Sequence, residues 1–133
     1  MNEKFEKIRL LYDKGMCDIK ASEQLIKGED GEFYSSIICF HCQQAVEKYL
    51  KAYLMYREVI PPKTHDLLRL AAICSDFDGA FANFDLDGFA SYGVDVRYDA
   101  PHPLLTYAEQ AISVAKEVIA YVIQTIPMEE CEE

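Results

Sequence analysis

Three groups of residues in this chain have types and spacings that could carry chemistry. The first is Arg97-Tyr-Asp-Ala-Pro-His102, an arginine and a histidine separated by four residues. A guanidinium holds a phosphate through two parallel hydrogen bonds, and an imidazole moves a proton near neutral pH. Together they are parts for binding or cleaving a phosphodiester without a metal. The alternative is a loop arginine paired with Asp95 or Asp99 beside a solvated histidine. The second group is Cys39-Phe-His-Cys42. Two cysteines at this spacing invite a zinc or redox reading, but no second Cys/His pair follows at ligand spacing. Both also fall on the apolar side of a helical pattern, where thiols are inert. The third group is His41, Gln44 and Lys48 at i, i+3 and i+7. It reads either as a polar rim closing over a core or as a surface for a nucleotide or a partner. Thr64-His65-Asp66-Leu67, after Pro61-Pro62, reads as a loop anchor and a helix cap.

These residues need elements to position them. Gly and Pro gather at Gly28 and Gly31, Pro61 and Pro62, Gly79, Pro101 and Pro103, and Pro127. Between those marks the apolar period is helical, with no alternating strand run. The pattern predicts one broken helix or two over 1–27, with Gly15 as the break and Leu10, Leu11, Ile19, Leu25 and Ile26 as apolar positions. A helix over 33–56 follows, with a broad apolar arc that includes Ile38, Cys39, Cys42, Ala45, Val46, Tyr49 and Tyr53; Gln43, Glu47 and Lys51 lie opposite. Asp66 to Cys74 makes a short helix with Thr64 as a candidate N-cap, and 80–92 a fourth. The last runs over 104–126, on an arc of Tyr107, Ala111, Val114, Ala115, Val118, Ile119 and Val122. Thr106 and Glu109 have the spacing of a capping box at its start. The fold class is all-α, an up-and-down bundle of four to five helices. One domain covers 1–128, and 129–133 is an acidic, frayed tail.

Charge narrows the function. The chain of 133 residues carries a formal net charge of −10. Residues 1–70 hold equal numbers of acids and bases, so the whole excess lies in 71–133, where Arg97 and Lys116 are the only bases. A non-specific nucleic-acid binder needs the opposite sign to displace counterions from phosphates. No apolar run approaches the roughly 20 residues of a membrane span. Five cysteines, an odd number without a visible secretory signal, favour free thiols in a reducing cytoplasm.

The run from Tyr34 to Ala52, with Phe40-His41-x-Gln43-Gln44-Ala45-x-Glu47-Lys48-x-Leu50-Lys51-Ala52, resembles the second helix of HEPN domains (higher eukaryotes and prokaryotes nucleotide-binding). The likeness continues through Pro61-Pro62-Lys63-Thr64-His65-Asp66-Leu67 and Arg97-Tyr98 and spans roughly 17–125. It implies a helical bundle that dimerises and is often paired with a minimal nucleotidyltransferase in a toxin–antitoxin-like system. Active members of that family are metal-independent endoribonucleases with an Arg/His motif at the dimer interface. By the resemblance, His102 would be the general base or acid for attack of a ribose 2′-hydroxyl, and Arg97 would stabilise the phosphorane charge. Relatives that keep only the Arg-Tyr pair look like binding modules, which places Tyr98 with His41, Gln44 and Lys48 on a nucleotide or partner surface. No cofactor or metal is implied, and a nucleotidyltransferase, RNA or a nucleotide is the expected partner.

Overall fold

The structure, a computed structural model, describes residues 3–87 and 105–128. Among these residues the chain forms four α-helices and no strand: α1 (Glu3–Lys27), α2 (Ser35–Tyr56), α3 (Leu67–Ser75) and α4 (Leu105–Thr125), with a 3₁₀ turn over Gly79–Asn83. The all-α bundle expected from the apolar period is therefore present.

Helix α1 runs unbroken through Gly15. Acids in its first turn and Lys27 in its last complement the helix dipole. Gly15 is needed for contact instead: a Cβ there would lie 2.6 Å from Cε1 of Tyr49. That close approach belongs to an antiparallel seam between α1 and α2. Lys4 meets Tyr56, Tyr12 meets Tyr49, Asp18 meets His41 and Ser22 meets Ile38, pairs whose residue numbers sum to about 60 in each case. The ring of Tyr49 stacks on Tyr12 at 4.8 Å, and its hydroxyl donates to the Tyr12 carbonyl at 3.1 Å.

Helix α2 is the hub. It touches α1, α3 and α4, and its apolar arc is buried as the period requires. It stops in a Schellman turn: the Glu58 N–H donates to the Met55 carbonyl and the Val59 N–H to the Leu54 carbonyl, each at 2.9 Å. Glu58 takes the left-handed position at φ 63°, where glycine is usual.

Helix α3 is capped by Asp66, whose Oδ1 accepts from the N–H groups of Leu68 and Arg69 at 3.1 and 3.2 Å. Thr64 is one step further out; its hydroxyl accepts from the Asp66 N–H. The cap is thus the aspartate, because its carboxylate reaches both free donors of the first turn. After α3, residues 79–83 close as a 3₁₀ turn and Phe84 is extended, so the helix expected over 80–92 does not start at Ala80, and its part over 88–92 lies outside the described residues. Asp78 caps that turn and also accepts from the Tyr121 hydroxyl, which pins it to α4. Phe81 fills the space between Tyr53 and Tyr121.

In α4 the expected arc is buried from Ala111 to Val122, but Tyr107 is exposed. The helix includes Leu105, so Thr106 sits inside its first turn and not at the N-cap. Leu10 of α1 is likewise on the solvent side, and the buried apolar anchors of that helix are Ile8 and Ile19. No helix among the described residues is long and apolar enough to cross a membrane.

Candidate functional site

The polar strip of α2 is built around a residue of another helix. Asp18 of α1 lies at the seam with 14% of its side chain exposed. Its Oδ1 is 2.9 Å from Nδ1 of His41, and its Oδ2 is 2.5 Å from Nζ of Lys48. A carboxylate only accepts, so the ring donates to it through Nδ1–H. An imidazole oriented this way can hold or move a proton at Nε2, and the ammonium beside it supplies positive charge. Gln44 sits half-buried between His41 and Lys48 on the same helical edge. The strip is therefore both a rim that ties α1 to α2 and an accessible row of donors.

A second cluster repeats this chemistry on the other edge of α2. Glu47 is only 9% exposed in its side chain, although the period places it opposite the apolar arc. Its Oε2 accepts from Nζ of Lys51 at 3.0 Å, one turn on, and its Oε1 is 2.9 Å from Nδ1 of His65. The imidazole of His65 is 80% exposed and anchors the Pro61–Asp66 loop on α2. Both carboxylates follow the rule that a buried charge survives when each oxygen has a cationic or donor partner. Gln43 is buried as well.

Cys39 and Cys42 are structural. Cys39 and Cys42 are fully buried and unpaired in disulfides. Burial pushes the Cys39 thiol up to about 11 and the Cys42 thiol up to about 12. Thiols held protonated in this way are poor nucleophiles and poor metal ligands. Among the described residues, no three of His, Cys, Asp and Glu converge as a metal-holding group.

Sequence spacing found His41, Gln44 and Lys48 and missed Asp18, which comes from a different helix. It had a usable signal for the second cluster in the i, i+4 spacing of Glu47 and Lys51. Arg97, Tyr98 and His102 lie outside the described residues, as does the acidic tail over 129–133.

A family model described as the HEPN domain matches residues 8–126, nearly the whole chain. No curated protein and no solved structure matches it.

Proposed function

We propose, from the premise that the chain belongs to the HEPN domain family, that it acts as the homodimeric partner of a minimal nucleotidyltransferase in a toxin–antitoxin-like pair. In this reading Arg97 and His102 cleave RNA without metal. His102 takes or gives the proton of a ribose 2′-hydroxyl, and Arg97 offsets charge that develops on the scissile phosphate. The observation that carries the reading is the Arg-x₄-His spacing directly ahead of α4, with His102 three residues before Leu105. The test is RNA cleavage by the free protein in chelator, compared with Arg97→Ala and His102→Ala. Cleavage by the wild type that both variants lose supports it. A wild type that leaves RNA intact, or variants that cut equally well, defeats it.

A second reading is a non-catalytic module that binds a nucleotide or positions the partner enzyme through His41, Gln44 and Lys48, with Tyr98 beside them. It is favoured by charge: Asp95 and Asp99 flank Arg97 in the acidic half of the chain and oppose a polyanion, whereas the α2 rim carries the ammonium of Lys48. Calorimetry with nucleoside triphosphates tests it. Saturable heat that His41→Ala and Lys48→Ala reduce supports nucleotide binding, and no heat removes the nucleotide from this reading.

A further inference from the structure

We infer that His65 is a phosphoryl-acceptor histidine, modified on Nε2 by a donor whose phosphorus is bound to nitrogen. The inference is independent of Arg97 and His102 and of any pairing between chains.

The starting observation is how the imidazole is mounted. Its Nδ1 lies 2.9 Å from Oε1 of Glu47, yet the side chain is 80% exposed. Glu47 is the reverse, a carboxylate with 9% of its side chain exposed. Among the described residues Nε2 of His65 has no hydrogen-bond partner. In the neutral ring Nδ1 donates to the carboxylate, which puts the lone pair on Nε2, the edge away from Glu47. The ring is held from behind and its nucleophilic edge is open. His41 makes the same Nδ1 contact with Asp18, but only 31% of its side chain is exposed.

An imidazole fixed beside an anion is an activated nucleophile. As Nε2 attacks phosphorus, positive charge grows on the ring, and the carboxylate at Nδ1–H offsets it. Lys51 on the other oxygen of Glu47 balances that carboxylate, so the resting site does not repel an incoming anion. The phosphoryl group itself needs cations that are not already paired. Lys63, two residues before His65, and Arg69, in the first turn of α3, are both exposed. Among the described residues neither side chain has an ion-pair partner. Asp66, the acid next to His65, is engaged as the cap by the N–H groups of Leu68 and Arg69. Pro61 and Pro62, with fixed φ, stiffen the loop that carries the imidazole.

The step balances in atoms and electrons. The Nε2 lone pair forms a bond to phosphorus as the donor's phosphorus–nitrogen bond breaks. The donor nitrogen leaves with that bond's electron pair and takes a proton from water. The ring keeps its Nδ1 proton on Glu47. One phosphorus–nitrogen bond replaces another, so the exchange runs in both directions and the modification is reversible. It places a phosphoryl anion at the start of α3, where Lys63, Arg69 and the helix dipole favour it.

The experiment incubates the full chain with phosphoramidate near neutral pH. Mass spectrometry follows the acid-labile phosphoryl group and assigns its position, and phosphorus NMR assigns the ring nitrogen. The same chain unfolded in urea gives the rate of an unmounted histidine. Glu47→Gln tests the carboxylate, and the exposed pair Lys63→Gln with Arg69→Gln tests the cations without touching a buried group. Circular dichroism checks that each variant is natively helical. The expected result is a single label on Nε2 of His65, formed at least about tenfold faster than in the unfolded chain. Glu47→Gln and the Lys63/Arg69 double variant each slow that label by a similar factor. A label that falls first on His41 or His102 overturns the assignment. So does a His65 rate no higher than in the unfolded chain. Natively helical variants that react as fast as the wild type overturn the activation by Glu47 and the two cations.

Discussion

The carboxylate of Asp18 on α1 joins His41 and Lys48 on α2, one oxygen to each, at 2.9 and 2.5 Å. This bridge carries two roles in tension. It fastens the helix seam, and it occupies the Lys48 ammonium that an anionic ligand would use. Asp18→Asn is therefore expected to lower stability by about 1–2 kcal/mol, because Lys48 loses its anion in a half-buried position. If the α2 rim holds a nucleotide, the same change strengthens nucleotide affinity by freeing Lys48. Urea unfolding reads the first effect and calorimetry the second; the two moving in opposite directions is the signature.

Gly15→Ala reverses the usual rule for helices. Alanine in a helix interior normally stabilises by up to about 1 kcal/mol relative to glycine. Here the added methyl would lie 2.6 Å from a Tyr49 ring that is buried, stacked on Tyr12 and bonded through its hydroxyl. The expected outcome is a loss of about 1–3 kcal/mol, seen as a lower thermal midpoint with unchanged helix content.

Glu58→Gly should act the other way. Glu58 holds a left-handed backbone at the end of α2, a conformation that costs a side-chain-bearing residue about 1–2 kcal/mol. Glycine removes that cost but has a more disordered unfolded chain, and the exposed contact with Lys4 adds little. A net gain of about 0.5–1 kcal/mol is expected in chemical denaturation.

The buried thiols set an alkaline limit. Burial raises Cys39 to about 11 and Cys42 and Cys74 to about 12, against about 8.5 in an unfolded chain. A group whose folded pKa is raised contributes fully below the unfolded value and loses that contribution as pH rises toward the folded one. Stability should thus be flat below pH 8.5 and fall between there and about 11 for Cys39 and about 12 for Cys42 and Cys74, by up to roughly 1 kcal/mol per pH unit for each thiol. Thermal unfolding against pH measures the limb, and Cys39→Ala with Cys42→Ala should make it shallower, leaving the share of Cys74. In the same range Cys39, Cys42 and Cys74 should resist alkylation in the native state, whereas exposed Cys17 reacts.

The hydroxyl of Tyr12 is buried and has no hydrogen-bond partner among the described residues. Burial, followed by the neighbouring Tyr49, pushes its pKa upward. Tyr12→Phe keeps the ring stack and removes an unsatisfied donor, so stability should hold or rise by about 1 kcal/mol in thermal unfolding. A loss would mean that the hydroxyl is bonded in solution.

The sequence by itself determined what short-range physics controls. A period of 3.6 with Gly and Pro punctuation is enough to define helices, so the all-α class, the buried arc of Ile38 to Tyr53 and the helical span of residues 105–125 were legible. Asp66 beside the start of α3 was legible as a capping or dipole residue, because capping is decided within one turn. The tertiary structure decided everything that depends on which helix lies beside which. Gly15 reads as a break until Tyr49 is placed across from it. Glu47 reads as a solvated face until the Pro61–Asp66 loop folds back and brings His65 to it. His41 and Lys48 read as a free polar strip until Asp18 arrives from 23 and 30 residues away. Periodicity specifies which side of a helix is apolar; it carries no information about the partner that a charge on the edge will meet, since that depends on the packing of the whole chain.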